Sequence, residues 1–203
     1  MSRDLKKELG KQYKPSVKPE SIIMPPLQYL MLDGQGRPGN EDFQLAVQAL
    51  FGVSYKDKFI LKKREGLDYT VMPLEGLWWA DNLKDFENDN RDNLKWTMMI
   101  LQPKWVTQPV VKEAIEQARK KSDNPCLYKL RLENVEEGLC GQILHIGPFL
   151  EEHATILKLH KFISDQKGQF DGKVQKHHEI YLSDIRRVAP EKYRTIIRQP
   201  YTQ

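Results

Sequence analysis

Only two of the 203 residues are cysteine, Cys126 and Cys140. A disulfide scaffold or a zinc knuckle needs more ligands at tighter spacing, so both are read as buried reduced thiols. No apolar run approaches the ~20 residues that span a bilayer. The opening "MSRDLKKELGKQYK" has no apolar segment of the secretory kind, and a cytoplasmic protein is expected. Five histidines are present (His145, His153, His160, His177 and His178), but none falls in an HExxH pattern. Within "HHE" at 177–179 the side chains of neighbours split between two faces of a strand. Neither a metal nor a cofactor is therefore expected. P-loop, GxGxxG and GxSxG signatures are missing as well. The formal net charge is only +4, and none of its basic clusters, at 56–64, 118–121 and 184–198, interleaves basic and aromatic residues as a single-strand platform would. With no zinc finger, and no helix-turn-helix pattern in the first 40 residues, nucleic acid is not expected as a partner, and neither is a membrane.

What is present is a pattern that repeats. Residues 1–20 read as a polar N-terminal arm, and 21–203 as one domain. "LQYLMLDGQG" (27–36) alternates and ends in glycine, as a strand and turn do. A helix follows from 41, with Asn40 as N-cap and Phe43, Ala46, Leu50 and Val53 on one face, and it can run on toward Arg64. Strands are expected at 67–79, with Pro73 marking an edge or bulge, and at 95–103, separated by an acid-rich loop over 80–93. Thr107 opens a bridging helix at about 108–121. A strand at 128–135 and one at 138–147 come next. Pro148 then begins a helix to about Asp165, a strand follows at 177–184, and a basic tail closes the chain. The two modules, about 21–106 and 125–187, predict an α+β fold: pseudo-symmetric strand-helix-strand-strand units forming one antiparallel sheet. Helices are expected on one face and a ligand groove on the other.

Alternation selects the candidates for chemistry. In the last strand Ile180 and Leu182 share one face, read as the helix side, and Glu179 with Tyr181 share the other. An acid and a phenol side by side are polar groups that a groove would use. Trp78 and Trp79 are adjacent, so one ring is expected to pack as core and the other to line the groove. Tyr69, Glu75 and Trp79 share a parity if Pro73 leaves it unbroken. Trp96 falls with Met98 and Ile100 and reads as core.

Several of these stretches resemble one family. "HIGPFLEEHATILKLHKFI" (145–163) looks like the GyrI-like motif in which a strand ends in Gly-Pro-aromatic and enters a helix. "HHEIYLSD" (177–184) is similar to that family's last strand, which carries a ligand-facing acid. "YTVMPLEGLWW" and "APEKYRTIIRQP" resemble a stand-alone subfamily without a DNA-binding domain. The resemblance spans about residues 20–200. It implies binding of apolar, aromatic or cationic drug-like molecules in a central groove, with Glu179 as polar anchor and Tyr128 and Phe149 added to the cage by position. Some stand-alone members use an aromatic cage to hydrolyse cyclopropane-bearing DNA-alkylating natural products such as yatakemycin, and the resemblance to them implies a protective hydrolase. In that reading Glu179 takes a proton from water and Tyr181 donates to the developing oxyanion. The alternative is a non-catalytic multidrug sponge or sensor, which the same acid and aromatics would serve. Oligomeric state is open.

Overall fold

The computed structural model describes residues 2–81 and 91–203. The middle of the acid-rich loop expected at 80–93 thus lies outside the described residues. Eight strands form one antiparallel sheet: β1 (Glu20–Met24), β2 (Leu27–Gln35), β3 (Leu74–Trp79), β4 (Lys95–Leu101), β5 (Arg131–Val135), β6 (Gly138–Ile146), β7 (His177–Tyr181) and β8 (Arg194–Pro200). The described helices are α1 (Leu5–Leu9), α2 (Glu41–Glu65), α3 (Gln108–Arg119) and α4 (Glu152–Asp165). The spatial order is β1-β6-β8-β7-β3-β4-β2-β5. The units β2-α2-β3-β4 and β6-α4-β7-β8 are each strand-helix-strand-strand, and they meet where β3 pairs with β7.

Each unit also lends a strand to the other. β1 precedes β2 in the chain but pairs with β6, and β5 precedes β6 but pairs with β2. Both connections are two residues long, Pro25-Pro26 and Glu136-Glu137. Three peptide steps reach at most about 11 Å. The β1 edge and the β2 neighbourhood at the other end of the sheet are therefore held close, and the sheet curls into a half-barrel.

α2 is built as its sequence directs. Asn40 Oδ1 accepts from the Phe43 amide, Glu41 and Asp42 occupy the first turn, and Lys62, Lys63 and Arg64 the last. Gly66, at φ 71°, ends it in the left-handed conformation. Thr107 stands at the N-cap of α3 but its side chain makes no capping bond.

Several expectations need correction. The strand placed at 67–79 begins only at Leu74, after Pro73, which has no N–H to give a ladder. Residues 125–128 form a 3₁₀ turn, so β5 starts later than expected. The basic tail is not a solvated end: it holds β8, an interior strand in which Thr195 to Pro200 are buried. The N-terminal arm is packed on the sheet, with Tyr13 only 3% exposed.

The two faces of the sheet differ in what covers them. Gly141, Ile143 and Ile197 share one face with Glu179, Trp78, Trp96 and Gly34 through the strand register. α4 packs there, its Leu159 and Ile163 meeting Ile143 and Ile197, and α2 packs over β2 and β4. Gly34 has no side chain because the Trp96 ring occupies that space. The opposite face holds Glu75, His178, Ile180, Ile196 and Arg198, and the N-terminal arm closes over it.

Candidate functional site: a groove between the two long helices

α2 lies over the β2–β4 half and α4 over the β6–β8 half, leaving the central strands β3 and β7 between them. Alternation along β7 raises His177, Glu179 and Tyr181 into this gap. Glu179 is the polar centre. Its Oε2 accepts the Tyr181 hydroxyl at 2.8 Å, and its Oε1 lies 3.1 Å from His177 Nε2. Tyr181 in turn accepts from Trp78 Nε1 at 3.0 Å. The carboxylate side chain is 16% exposed and that of His177 14%, so both stay within reach of solvent.

The walls are aromatic. Phe43, in the first turn of α2, stacks on Trp78 with centroids 6.2 Å apart. Phe149 meets Tyr181 edge-on at 5.8 Å and leans on Tyr193 at 5.4 Å. His145 fixes the turn that carries Phe149, its two ring nitrogens lying 2.9 Å from Thr155 Oγ1 and 3.2 Å from the Pro148 carbonyl. Gly76 sits opposite Glu179 in the register, and a Cβ there would stand 2.9 Å from Trp78 Nε1. Its missing side chain lets the indole cross β3 and reach Tyr181. Burial alone would push the Glu179 carboxyl up, but the hydrogen bond and charge of His177 and the bond from Tyr181 outweigh it. Its pKa therefore lies below the usual carboxylate range.

A second polar cluster occupies the opposite face. Tyr13 donates to Glu75 Oε1 at 2.5 Å. His178 lies 3.0 Å from Glu75 Oε2 and 2.9 Å from Glu137 Oε1. Only an imidazolium can donate to both carboxylates at once. Arg198, fully buried, joins Glu137 at 3.4 Å and donates to the Gln12 carbonyl at 2.6 Å. Two acids and two cations thus balance inside the curl and bind the arm to it. Among the described residues no group of three or more His, Cys, Asp or Glu could hold a metal ion, and no helix is long and apolar enough to cross a membrane.

The GyrI-like small-molecule-binding domain matches residues 18–201. This chain belongs to the GyrI-like family. It is similar to a conserved protein from Listeria innocua at 42% identity, covering 99% of this chain and 100% of that one with a TM-score of 0.92. A hydrolase from Listeria innocua is 40% identical over 99% of this chain and 100% of its own, with a TM-score of 0.87. The C-terminal domain of EcmrR shares the fold at 9% identity, covering 92% of this chain and 98% of that one, with a TM-score of 0.58. No protein with a curated description matches.

Within this GyrI-like domain the residues singled out from sequence divide. Glu179, Tyr181, Trp78 and Phe149 come together, but on the helix face and not on the opposite one. The apolar Ile180 points away from the helices because the inside of the curl is itself a core, in which Ile180 and Ile196 are wholly buried. Trp79 faces the other side, with Lys176 Nζ 3.6 Å from its ring centroid. Glu75 is turned inward to Tyr13 and His178. Tyr69 lies outside β3 and is buried against Trp105, its hydroxyl 3.4 Å from Gln102. Pro73 and the irregular chain before it broke the assumed parity. Tyr128 is 70% exposed on a 3₁₀ turn under Arg119 and makes no contact with the cluster. Sequence reasoning missed His177 and Phe43. The signal for His177 was available, since it lies two positions before Glu179 in one strand. Phe43 read as one more apolar residue on a helix face.

Proposed function

We propose that the groove binds flat aromatic and cationic xenobiotics and hydrolyses cyclopropane-bearing DNA-alkylating agents of the yatakemycin type, giving cellular protection in the cytoplasm. The observation that carries this reading is the Glu179 carboxylate, held at both oxygens on the floor between Trp78 and Phe149. The hydrolase name of a relative 40% identical over nearly the whole chain supports it. In the reaction a water oxygen bonds to the cyclopropane methylene. The bond from that carbon to the ring breaks, and its electron pair passes through the dienone to give a phenolate. Glu179 takes the proton that the attacking water sheds and returns it to the phenolate oxygen. Phe149, which is exposed, offers a ring face to the flat substrate, and Trp78, buried behind Phe43, holds the Tyr181 hydroxyl in place. Tyr181 has a single proton, which it gives to Glu179, so the dienone oxygen must compete for it.

That competition, with the depressed Glu179 pKa, favours a second reading: a permanent carboxylate among aromatics suits a binder of cations with no turnover. The test is product analysis. Incubation with a cyclopropanoid should give the ring-opened species heavier by one water, and Glu179→Gln should lower its rate about 10²- to 10⁴-fold. Tight binding with no such product would leave the sponge reading standing.

A further inference from the structure

The acid of the groove has an ionisable partner whose role in binding is unassigned. We propose that His177 is a specificity-determining residue: protonated, it pairs with Glu179 and the groove favours neutral aromatic ligands; neutral, it leaves the carboxylate to a cationic ligand. This rests on the groove being the ligand site proposed above.

The geometry supplies the reasons. Glu179 has two oxygens and two partners, the Tyr181 phenol and the His177 imidazole. Among the described residues no Lys or Arg lies in ion-pair contact with it, so the only ionisable base touching it is an imidazole. Both side chains are partly open to solvent, so protons and ligands reach the same place. The other groups facing His177 do not substitute for it. From β7 itself come Glu179 and Tyr181, and from β3 the uncharged Trp78. α4 presents His160, whose own pKa burial pushes down to about 4, with neighbouring His177 and His153 adding to the effect, so it stays neutral through the relevant range. His178 acts on Glu179 from the far face of the sheet, and its charge is committed to Glu75 and Glu137. Of the cations that act on Glu179 only His177 touches it, so it is the His177 charge that a ligand cation displaces directly. Close charge pairs at interfaces commonly couple strongly enough to change affinity by about tenfold or more.

The experiment uses two flat probes of similar shape, the permanent cation 10-methylacridinium and the neutral 9-(hydroxymethyl)anthracene. Binding to the full chain is followed by fluorescence anisotropy from about pH 5 to 8.5. The cation should bind about tenfold or more tightly at the upper end, while the neutral probe stays level. His177→Asn, which keeps a donor and loses the charge, should bind the cation tightly at every pH. A cation slope in His177→Asn as steep as in the wild-type protein, a level cation curve in the wild-type protein, or an equal slope for both probes would each overturn the proposal while leaving the groove as ligand site. Failure of both probes to bind at any pH would remove the groove reading and this proposal together. Hydrolysis is not read in this assay, so a sponge and a hydrolase give the same outcome.

Discussion

Replacing Tyr13 by Phe tests how the arm and the interior of the curl depend on each other. The ring is 3% exposed and stays in place, so the substitution removes one hydroxyl and little packing. That hydroxyl is bonded to Glu75 at 2.5 Å, and Glu75 is wholly buried. A hydrogen bond to a charged group contributes about 1.5–3 kcal/mol, and a buried acceptor left without its donor forfeits that amount. The loss does not extend to the whole arm, because Lys11 and Gln12 still accept from Gln142 and Arg198. For a chain of this length each kcal/mol moves the melting temperature by about 2–4 °C. Scanning calorimetry at pH 6 should therefore find Tyr13→Phe lower by about 3 to 12 °C. The chain should still melt in one transition, since the arm has other ties. An unchanged melting temperature would refute the reasoning, because it would mean that Glu75 does not need its arm-borne donor. Two separate transitions would refute it differently, by showing the arm to be an independent unit.

Other outcomes follow from the same contacts. Burial opposes the charge on His178, but Glu137 and Glu75 outweigh it and hold its pKa above the ordinary histidine value. Its stabilisation is thus full below the unfolded value near ~6.5 and is lost as pH rises through the folded one. Burial likewise opposes the charge on Glu137, yet His178 and Arg198 pull its pKa to about 2, so its contribution is lost only as pH falls toward that value. Melting temperature against pH should therefore decline above neutrality, and His178→Phe should flatten that decline. Burial raises Asp57 to about 7, with no hydrogen-bond partner for either oxygen among the described residues, so ionising it costs stability as pH rises. Asp57→Asn should then raise the melting temperature more at pH 8 than at pH 5. Gly76→Ala would bring a methyl within 2.5 Å of Met98 Cε and 2.9 Å of Trp78 Nε1. It should cost about 1–3 kcal/mol in urea unfolding and weaken ligand binding by moving the indole. Trp78→Ala should cost about 3–5 kcal/mol and lose the ligand, while Trp79→Ala, on the other face, should leave ligand affinity unchanged in the same titration.

Period and capping made α2, α3 and α4 legible to within a few residues, because Asn40, Pro148 and the acidic first turns are local signals. The strand-helix-strand-strand order was legible for the same reason in the first unit, and in the second as far as β7. The direction of β7 was not. Parity correctly put Glu179 with Tyr181, but assigning the face assumed that apolar side chains seek helices. In a curled sheet both faces are interior, and the polar residues point into the gap between helices. β8 was hidden by its charges: Arg194 and Arg198 read as a solvated tail, whereas Arg198 is buried against Glu137, contributed by a connection 61 positions earlier. β1 was hidden by prolines, and its partner β6 lies more than a hundred positions away, where no local pattern points.

The exchange of β1 and β5 has a consequence for how the molecule is made. Glu20 meets Gln142 across 122 positions, so β1 has no partner until most of the chain has been synthesised. β2 likewise waits for β5 to cover its outer edge. The first module thus leaves the ribosome with an open strand edge at each side, and neither half is a finished unit on its own. Long-range pairing of this kind slows folding and leaves the half-made chain prone to pairing with another copy. Two polypeptides cut between α3 and β5 would each carry the edge strand that the other lacks, and would have to assemble as a pair in order to fold.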